Sequence, residues 1–356
     1  MNKYAVILAG GNGSRFWPVS RENRPKQFVN FGSRGILIND TITRVKSYFG
    51  YNNIFIVTSY KQVENIHRHV DKNIFDENII IEPYGKNTAA CIAYAATYIL
   101  KHFEDGIMCI FPSDHYIKED DEFIKDIDIV INSVMMNISI GTIGIKPSFP
   151  ATGYGYLNYS EQITENIFTV KQFIEKPKIE KAIEYINCGG YAWNSGIYIC
   201  KISNLLDEYK KNLPLMYAEF NKFYLAKGRE DEKKVLEEIY YNVESISIDF
   251  GVMEKCKNII GILSNITWSD LGTWDSIMQI NEQDENGNVL IGGECVVIET
   301  SNCIISSHER LIATLGVKNL VIVETEDVVL VCDKNESQKI GKIVECLKNN
   351  GMKHFI

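Results

Sequence analysis

The sequence predicts an α/β fold with a largely parallel central sheet, followed by a small unit built of β-strands. Short, continuously apolar runs alternate with longer helical patterns over the first half of the chain. Apolar strands separated by helices are typical of a parallel sheet that is covered on both faces. From residue 289 onward, short β-rich runs recur about every 8–10 residues, which indicates a separate all-β unit.

The predicted elements follow one another in a regular order. Strands are predicted at 4–9, 53–58, 78–82, 107–111 and 139–145, and helices at 39–49, 60–72, 87–102 and 120–136. Further strands at 168–175, 196–201 and 259–264, with helices near 202–227, 230–240 and 273–281, are expected to extend the same sheet and make it mixed. Because ligands of such sheets bind beyond the carboxyl ends of the strands, the segments after strands 4–9 and 107–111 should open on one edge.

A change of composition after residue 284 predicts two domains, 1–284 and 285–356. The turn-forming segment 284–288 separates them. In the second domain we expect a closing helix at 335–349 and strands at 289–291, 295–298, 303–305, 311–314, 320–323 and 328–331.

Composition argues against several classes of protein. The net charge is −9 and the chain has no block of Lys and Arg, so nucleic-acid binding is not expected. No apolar run approaches the roughly 18 residues of a membrane span. The nine cysteines are scattered without a C-x-x-C pair, and the chain enters its first strand without a signal-peptide pattern. We therefore expect a cytoplasmic protein with reduced thiols.

The segment 8–27 is the most informative part of the chain. The first strand stops at Gly10-Gly11-Asn12-Gly13, and Arg15 follows. Glycines let backbone N–H groups approach a bulky anion, and Arg15 and Lys26 can neutralise several phosphates. The loop is neither a Walker A motif nor the Gly-x-Gly-x-x-Gly dinucleotide fingerprint. A flexible surface turn is the alternative, but the coincidence of strand end, glycines, arginine and a Pro-Lys pair argues against it.

Together with Arg15-Phe16-Trp17-Pro18 and Pro25-Lys26-Gln27-Phe28, this loop resembles the signature of the sugar-1-phosphate nucleotidyltransferases. The variant in this chain is most similar to that of the mannose-1-phosphate guanylyltransferases. The resemblance implies a Rossmann-like nucleotidyltransferase domain with a mostly parallel mixed sheet, followed by a left-handed β-helix, for which a small sandwich is the alternative. It also implies a homodimer, since a β-helical tail often serves as a dimerisation surface in relatives.

The reaction that the resemblance implies is transfer of GMP from GTP to α-D-mannose 1-phosphate, which gives GDP-mannose and pyrophosphate. A phosphate monoester is itself a competent nucleophile, so catalysis requires positioning and charge neutralisation. The resemblance makes Arg15 and Lys26 the catalytic cations. The nucleotide would bind to Leu8, Ala9, Gly10, Gly11, Gly13, Ser14, Arg15, Glu82, Asn87 and Thr88.

Two aspartates are candidate ligands of Mg²⁺. Asp114 follows the apolar run 107–111, where a carboxylate can hold a cation that prefers oxygen ligands. An Asx turn or helix cap is the alternative for Asp114, as a helix cap is for Asp270. The segment 268–274 resembles the family's distal metal-binding element, which implies that Asp114 and Asp270 hold Mg²⁺ together.

The segment Glu175-Lys176-Pro177 ends a predicted strand. Neighbouring residues of a strand point to opposite faces, so these two charges are not expected to pair with each other. The resemblance implies that Glu175 accepts hydrogen bonds from sugar hydroxyls and that Lys176 holds the sugar phosphate. Gly153, Tyr154 and Asn194 would complete the sugar-phosphate site, with the tyrosine mainly a packing residue.

Alternatives to this reaction remain open. Another hexose or heptose 1-phosphate, or another nucleotide, could be the substrate, because Phe16 and Ala90 replace residues that are common in relatives. A catalytically silent, sugar-nucleotide-sensing subunit is a second alternative. An NAD-dependent oxidoreductase is disfavoured, since the dinucleotide fingerprint is missing.

Overall fold

The computed structural model describes residues 1–11, 14–31, 35–164 and 166–356. The strands of the larger domain are β1 (Asn2–Leu8), β2 (Ile54–Ser59), β3 (Ile79–Glu82), β4 (Gly106–Pro112), β5 (Tyr116–Ile117), β6 (Ile140–Ile145), β7 (Tyr156–Gln162), β8 (Ile167–Ile174), β9 (Tyr191–Lys201), β10 (Ile259–Ser264) and β11 (Trp268–Ser269). Strands β5 and β11 form a separate two-stranded sheet, and the others form the central sheet.

The central sheet is mixed, as the sequence predicts. Its nine strands lie in the order β3-β2-β1-β4-β9-β6-β10-β8-β7. Strands β1 to β4 pair in parallel, and so do β6 and β10. Strands β7, β8 and β9 run antiparallel to their neighbours, so the antiparallel part is about as large as the parallel part. Leu8 pairs with Pro112, and the segments after β1 and β4 therefore open on one edge, as predicted.

Helices cover both faces of the central sheet. They are α1 (Leu37–Phe49), α2 (Val63–His69), α3 (Asn87–His102), α4 (Asp120–Met136), α5 (Ile179–Cys188), α6 (Ile202–Asn212), α7 (Pro214–Leu225), α8 (Arg229–Asn242) and α9 (Trp274–Ile280). Helices α3, α6, α7 and α8 pack on one face, and α1 and α4 pack on the other. The single helix predicted at 202–227 is wrong. Pro214 lacks an N–H group and disfavours helical backbone at Leu213, so the chain forms two helices there.

The C-terminal domain is a small β-helix. Its strands are β12 (Val289–Gly292), β13 (Cys295–Ile298), β14 (Ile304–Ser307), β15 (Ile312–Leu315), β16 (Leu320–Glu324) and β17 (Val329–Asp333). Successive coils stack in parallel through the pairs β12–β14, β14–β16 and β13–β15. Such stacking distinguishes the β-helix from the alternative sandwich, whose strands would pair antiparallel. Strand β17 turns back, and helix α10 (Gly341–Asn349) closes the domain.

The β-helix packs directly against the segment that follows the glycine loop. Phe16 and Trp17 are buried in one apolar cluster with Trp274, Val321 and several residues of the C-terminal domain. The indole Nε1 of Trp17 donates to the backbone oxygen of Phe355 at 2.7 Å. The C-terminal domain therefore supports the loop that the sequence assigns to phosphate binding. None of the described helices is both long and apolar enough to cross a membrane.

Candidate active site

The glycine loop begins where β1 ends and is held from its buried side. The backbone N–H of Ala9 donates to Val57 O at 2.7 Å. Its carbonyl accepts from Gln27 Nε2 at 3.1 Å and from Thr58 Oγ1 at 3.2 Å. Gln27, which is only 2% exposed, was not predicted as a site residue, although it lies within the Pro-Lys-Gln element.

The positions predicted for the loop itself divide into two groups. Leu8 is the last residue of β1, and Ala9 directly after it is buried and hydrogen-bonded to Val57, whereas Gly10 and Gly11 are exposed beyond the strand end. Gly13 lies outside the described residues, and so does the side chain of Ser14. The described part of the loop therefore presents exposed glycine backbone at the edge of the sheet where ligands of such folds bind.

Lys26 brings together the two predicted metal ligands. Its buried ammonium lies 2.9 Å from Asp114 Oδ2 and also donates to the backbone oxygen of Asp270. Arg15, an exposed residue, donates from Nη1 to Gly272 O at 3.3 Å. The four residues predicted to carry the chemistry thus converge at one place, although Asp270 is far from the others in sequence.

The two carboxylates have different surroundings. Burial alone would raise the pKa of Asp114, but the Lys26 ammonium outweighs it and holds this pKa below its usual value. Asp270 Oδ1 accepts a hydrogen bond from Tyr154 OH at 3.1 Å. Tyr154, predicted mainly as a packing residue, therefore also positions a carboxylate. A Cβ at Gly272 would lie 2.9 Å from Asp270 Oδ2, so the glycine leaves room for that oxygen.

This donor set fits a divalent cation. Mg²⁺ prefers one or two carboxylates together with water and phosphate oxygens. Lys26 contacts the carboxylate of Asp114 and the backbone of Asp270, so each of these residues can offer a carboxylate near the same lysine. The Asp114 side chain is 34% exposed, so water and ligands can reach it. Among the described residues there is no cluster of three or more His, Cys, Asp or Glu side chains suited to a metal ion.

His115 belongs to the same region and was not predicted. Trp268 Nε1 donates to His115 Nδ1 at 3.3 Å, so the proton of a neutral imidazole lies on Nε2. Burial lowers the pKa of His115 against the opposing effect of Asp114. The imidazole is therefore neutral at physiological pH and does not add a second cation beside Lys26.

Glu175 and Lys176 pair with each other, contrary to the expectation from the sequence. The distance from Lys176 Nζ to Glu175 Oε1 is 2.7 Å. The expectation was wrong because β8 ends at Ile174 and Lys176 has a left-handed backbone with φ of 45°. Burial raises the pKa of Glu175, whereas the exposed Lys176 opposes this effect.

Glu175 lies against the loop that carries the other predicted sugar contacts. A Cβ at Gly155 would be 2.7 Å from Glu175 Oε2 and 3.4 Å from the Cβ of Asn194. Asn194 N–H also donates to Gly155 O at 2.8 Å. Gly153 is exposed on the same loop, and a Cβ there would contact nothing within 4 Å. The structure thus brings Glu175 and Asn194 together at Gly155, whereas Gly153 faces open space on the same loop. The region formed by Glu175, Asn194 and the loop 153–155 is termed the Glu175 pocket.

Glu82 lies at the other end of the site. It is 3% exposed, and its Oε1 accepts from Tyr240 OH at 2.8 Å. Its Oε2 faces the glycine loop, 3.5 Å from the position of a Cβ on Gly10. Burial raises the pKa of Glu82 to about 7, although the hydrogen bond from Tyr240 opposes this shift.

The side chains of Asn87 and Thr88 are occupied by local contacts. Asn87, which has a φ of 67°, accepts from Thr88 N–H at 2.8 Å. Thr88 Oγ1 accepts from Ile248 N–H at 2.9 Å. Both residues shape the start of α3, and Glu82 is the predicted base-pocket residue whose carboxylate faces the glycine loop.

The fold joins a mixed α/β domain to a β-helix, and the site gathers two cationic and two acidic residues beside a glycine loop, as in enzymes of the nucleotidyltransferase class. A family model described as "Nucleotidyl transferase" matches residues 4–287, and one described as "MannoseP isomerase/GMP-like beta-helix domain" matches residues 293–347. A mannose-1-phosphate guanylyltransferase of Klebsiella pneumoniae is 36% identical over 349 residues, which cover 97% of this chain and 74% of that protein. A putative mannose-1-phosphate guanylyltransferase of Vibrio cholerae is 35% identical over 96% of this chain and 74% of its own length.

A solved structure agrees with these relatives. It is described as a mannose-1-phosphate geranyltransferase from Thermus thermophilus, with a TM-score of 0.89 and 28% identity. The match covers 98% of this chain and 100% of the other. The chain belongs to the nucleotidyl transferase family and, within it, to the mannose-1-phosphate guanylyltransferases.

Proposed function

We propose that this enzyme transfers GMP from GTP to α-D-mannose 1-phosphate and releases pyrophosphate. The observation that carries the proposal is the convergence of Arg15, Lys26, Asp114 and Asp270, with Tyr154 of the predicted sugar loop bound to Asp270. A nucleoside triphosphate on the loop and a sugar phosphate beside Glu175 would meet at these charges. The names of the relatives supply the particular nucleotide and sugar.

The chain's own residues act by binding and orienting two phosphate groups. We assign Arg15 and the glycine-loop backbone to the β- and γ-phosphates, and Lys26 to the negative charge that grows near the α-phosphate. Glu175 accepts hydroxyl hydrogen bonds and Lys176 holds the sugar phosphate. The sugar-phosphate oxygen then attacks the α-phosphorus in line, its new P–O bond forms, and the bond to pyrophosphate breaks.

We further propose that Asp114 and Asp270 hold a magnesium ion. When bound, the ion neutralises phosphate charge and acts as a Lewis acid. Tyr154 orients the carboxylate of Asp270, and Lys26 keeps the pKa of Asp114 low, so this ligand is ionised at neutral pH.

The function is tested by pyrophosphate release across a panel of nucleoside triphosphates and sugar 1-phosphates in the presence of Mg²⁺. We expect GTP with mannose 1-phosphate to give the highest kcat/KM. A higher value for another sugar phosphate would correct the substrate, and no release with any pair would refute the proposal.

Replacing Asp114 or Asp270 with asparagine should lower kcat/KM at least about a hundredfold, since a metal's Lewis-acid contribution is worth several kcal/mol. High Mg²⁺ concentrations should restore part of the lost activity, because asparagine keeps an oxygen but loses the charge that holds a hard cation. Steady-state pyrophosphate release over a Mg²⁺ titration measures this. Asp207→Asn, on the exposed part of α6, is the matched control. Full activity of the parent enzyme in EDTA would contradict the metal site.

Glu175→Gln should impair use of the sugar phosphate much more than binding of GTP. Charge-assisted hydrogen bonds are worth roughly 1.5–3 kcal/mol, so kcat/KM for mannose 1-phosphate should fall about 10- to 100-fold. Calorimetry should show GTP affinity changed by less than about threefold, because Glu175 lies at the opposite end of the site from Glu82. The exposed Glu180→Gln serves as control. A collapse of GTP affinity with unchanged sugar dependence would reverse the assignment of the two ends.

We also propose that the chain divides into domains at residues 284 and 285. Asp284 Oδ1 accepts from the N–H groups of Asn286 and Asn288, which forms a tight turn directly before β12.

A location in the cytoplasm is a further part of the proposal. All nine cysteines lie among the described residues and are free thiols, as expected in a reducing compartment.

A homodimer through the β-helix is a further part of the proposal. On the β13–β15 sheet, Val296, Ile298 and Leu315 are 45, 52 and 68% exposed, and Ile298 pairs directly with Leu315. An apolar sheet face of this kind is typical of an interface. Replacing Ile298 and Leu315 with serine should shift the protein to monomers in sedimentation equilibrium. A parent protein that is monomeric at micromolar concentration would contradict this.

A further inference from the structure

A buried hydrogen-bonded chain connects Asn194 in the sugar pocket with Asp249. Asn194 Nδ2 donates to Tyr198 OH at 2.9 Å, and Tyr198 OH donates to Asp249 Oδ1. Tyr198 is 2% exposed and Asn194 is 9% exposed, so water cannot readily replace these partners. The roles assigned above to the sugar pocket make no use of Tyr198 or Asp249.

The chain has a direction that is set at Asp249. A carboxylate only accepts hydrogen bonds, so the single proton of the Tyr198 hydroxyl is directed to Asp249. The oxygen of Tyr198 can then only accept from Asn194, which must present its NH₂ group to the tyrosine. The orientation of the Asn194 amide, which is ambiguous for an isolated asparagine, is therefore fixed.

The oxygen of the Asn194 amide can still accept a hydrogen bond from a ligand. Thr142 Oγ1 lies 2.9 Å from Ile197 O and 3.3 Å from Asn194 Oδ1. Thr142 has one hydroxyl proton, and the closer carbonyl of Ile197 is the better acceptor. Asn194 Oδ1 can therefore accept a hydrogen bond from a ligand, and the second N–H of Nδ2 can donate one.

Asn194 lies beside a carboxylate whose hydrogen-bonding capacity complements that of its amide. Glu175 Oε2 and the Cβ of Asn194 both lie against the Cβ position of Gly155. Glu175 can only accept when it is ionised, whereas Asn194 offers both a donor and an acceptor. A hydroxyl group needs both an acceptor for its proton and a donor for its oxygen, so the pair suits neighbouring hydroxyls of a sugar ring.

The residues directly before Asp249 are anchored to the nucleotide end of the site. Ile248 N–H donates to Thr88 Oγ1 at 2.9 Å, and Ala89 N–H donates to Ile246 O at 3.1 Å. These contacts tie residues 246–248 to the start of α3. A change of the Asp249 side chain therefore leaves the connection to the nucleotide end in place.

We propose that Asp249 is a positioning residue that, through Tyr198, fixes the amide orientation with which Asn194 binds a sugar hydroxyl. This inference rests on the proposed function, because it takes the Glu175 pocket as the sugar site. Asp249 and Tyr198 touch no reacting atom in this scheme. They determine which end of Asn194 faces the ligand, and hence how well the sugar phosphate binds.

The test is a double-mutant cycle between Tyr198→Phe and Asn194→Ala. Steady-state pyrophosphate release is measured with whichever sugar 1-phosphate the parent enzyme uses best, so a wrong sugar assignment and a wrong positioning role are separable. Tyr198→Phe should raise KM for the sugar phosphate about tenfold, the range of one buried hydrogen bond, while KM for GTP changes less than about twofold. In the Asn194→Ala background, Tyr198→Phe should have almost no further effect on KM.

Asp249 is tested in parallel. Asp249→Ala should raise KM for the sugar phosphate as Tyr198→Phe does, whereas Asp249→Asn should be milder, because its amide oxygen can still accept from Tyr198. Glu244→Gln, an exposed carboxylate on the same connection, is the control for loss of charge. Equal losses in the presence and absence of Asn194, or variants that lower only the melting temperature, would overturn the proposal.

Discussion

Replacing Lys26 with methionine should lower kcat/KM by two or more orders of magnitude. Loss of one preorganised charge that stabilises a transition state costs about 3–4 kcal/mol. Lys26 is 6% exposed, and its ammonium contacts both Asp114 and the backbone of Asp270. Methionine preserves most of the buried volume, so the change removes the charge rather than the packing. Pyrophosphate release at saturating and subsaturating GTP measures the effect on kcat and on kcat/KM.

A matched lysine distinguishes the catalytic effect from a general one. Lys222 also pairs with a carboxylate, Glu219, at 2.6 Å, but its side chain is 50% exposed on α7. Lys222→Met should leave turnover unchanged, since exposed ion pairs contribute little. If Lys26→Met kept turnover within about threefold of the parent, Lys26 would have no part in transition-state stabilisation.

Secondary structure was predictable where it depends on local pattern. The helices at 87–102 and 120–136 and the strand at 259–264 have the predicted bounds, because their apolar pattern is strong and most of their flanking residues are polar. Helix α5 buries only Ala182, and β7 is exposed over its second half. The apolar pattern of β7 is weak, and this strand was not predicted for that reason. Helix α5 was missed although its apolar residues at 179, 182, 183 and 186 follow the helical period.

Strand β9 shows a different reason for failure. It begins at Tyr191, five residues before the predicted start at 196. The predicted start was too late because Asn194 and Ser195 are residues that are common in turns. In the structure both are buried, and the amide of Asn194 is held by its hydrogen bond to the hydroxyl of Tyr198. Long-range hydrogen bonds allow polar residues inside a sheet, and a local pattern cannot reveal them.

The same distinction applies to the site. The meeting of the glycine loop with Asp114 followed from the rule that parallel strands end on one edge. The contacts of Gln27, His115, Tyr154 and Asp249 join positions that are distant in sequence or buried behind the loop, and no spacing signalled them. The pairing of Glu175 with Lys176 was mispredicted because the strand ends one residue earlier than expected.

Glu82→Gln should remove most of the enzyme's ability to distinguish GTP from ITP. Guanine presents two donors on one edge, N1–H and the 2-amino group, and a carboxylate can accept from both. Inosine lacks the 2-amino group. Glutamine offers one acceptor and one donor, and the donor opposes the amino group of guanine. A charge-assisted hydrogen bond is worth about 1.5–3 kcal/mol, so the GTP-to-ITP ratio of kcat/KM should fall by about tenfold or more. The exposed Glu77→Gln, on the turn before β3, is the control.

The same ratio should depend on pH in the parent enzyme and not in Glu82→Gln. Burial raises the pKa of Glu82 to about 7, so the carboxylate is ionised above that value and protonated progressively below it. We infer that Glu82 is the acceptor for guanine in the predicted base pocket. Since its ionised form is the better acceptor, preference for GTP over ITP should weaken as the pH falls from about 8 to about 6. Both nucleotides carry the same triphosphate, whose own ionisation cancels in the ratio. A ratio that is independent of pH in the parent, or that survives in Glu82→Gln, would show that guanine is recognised elsewhere.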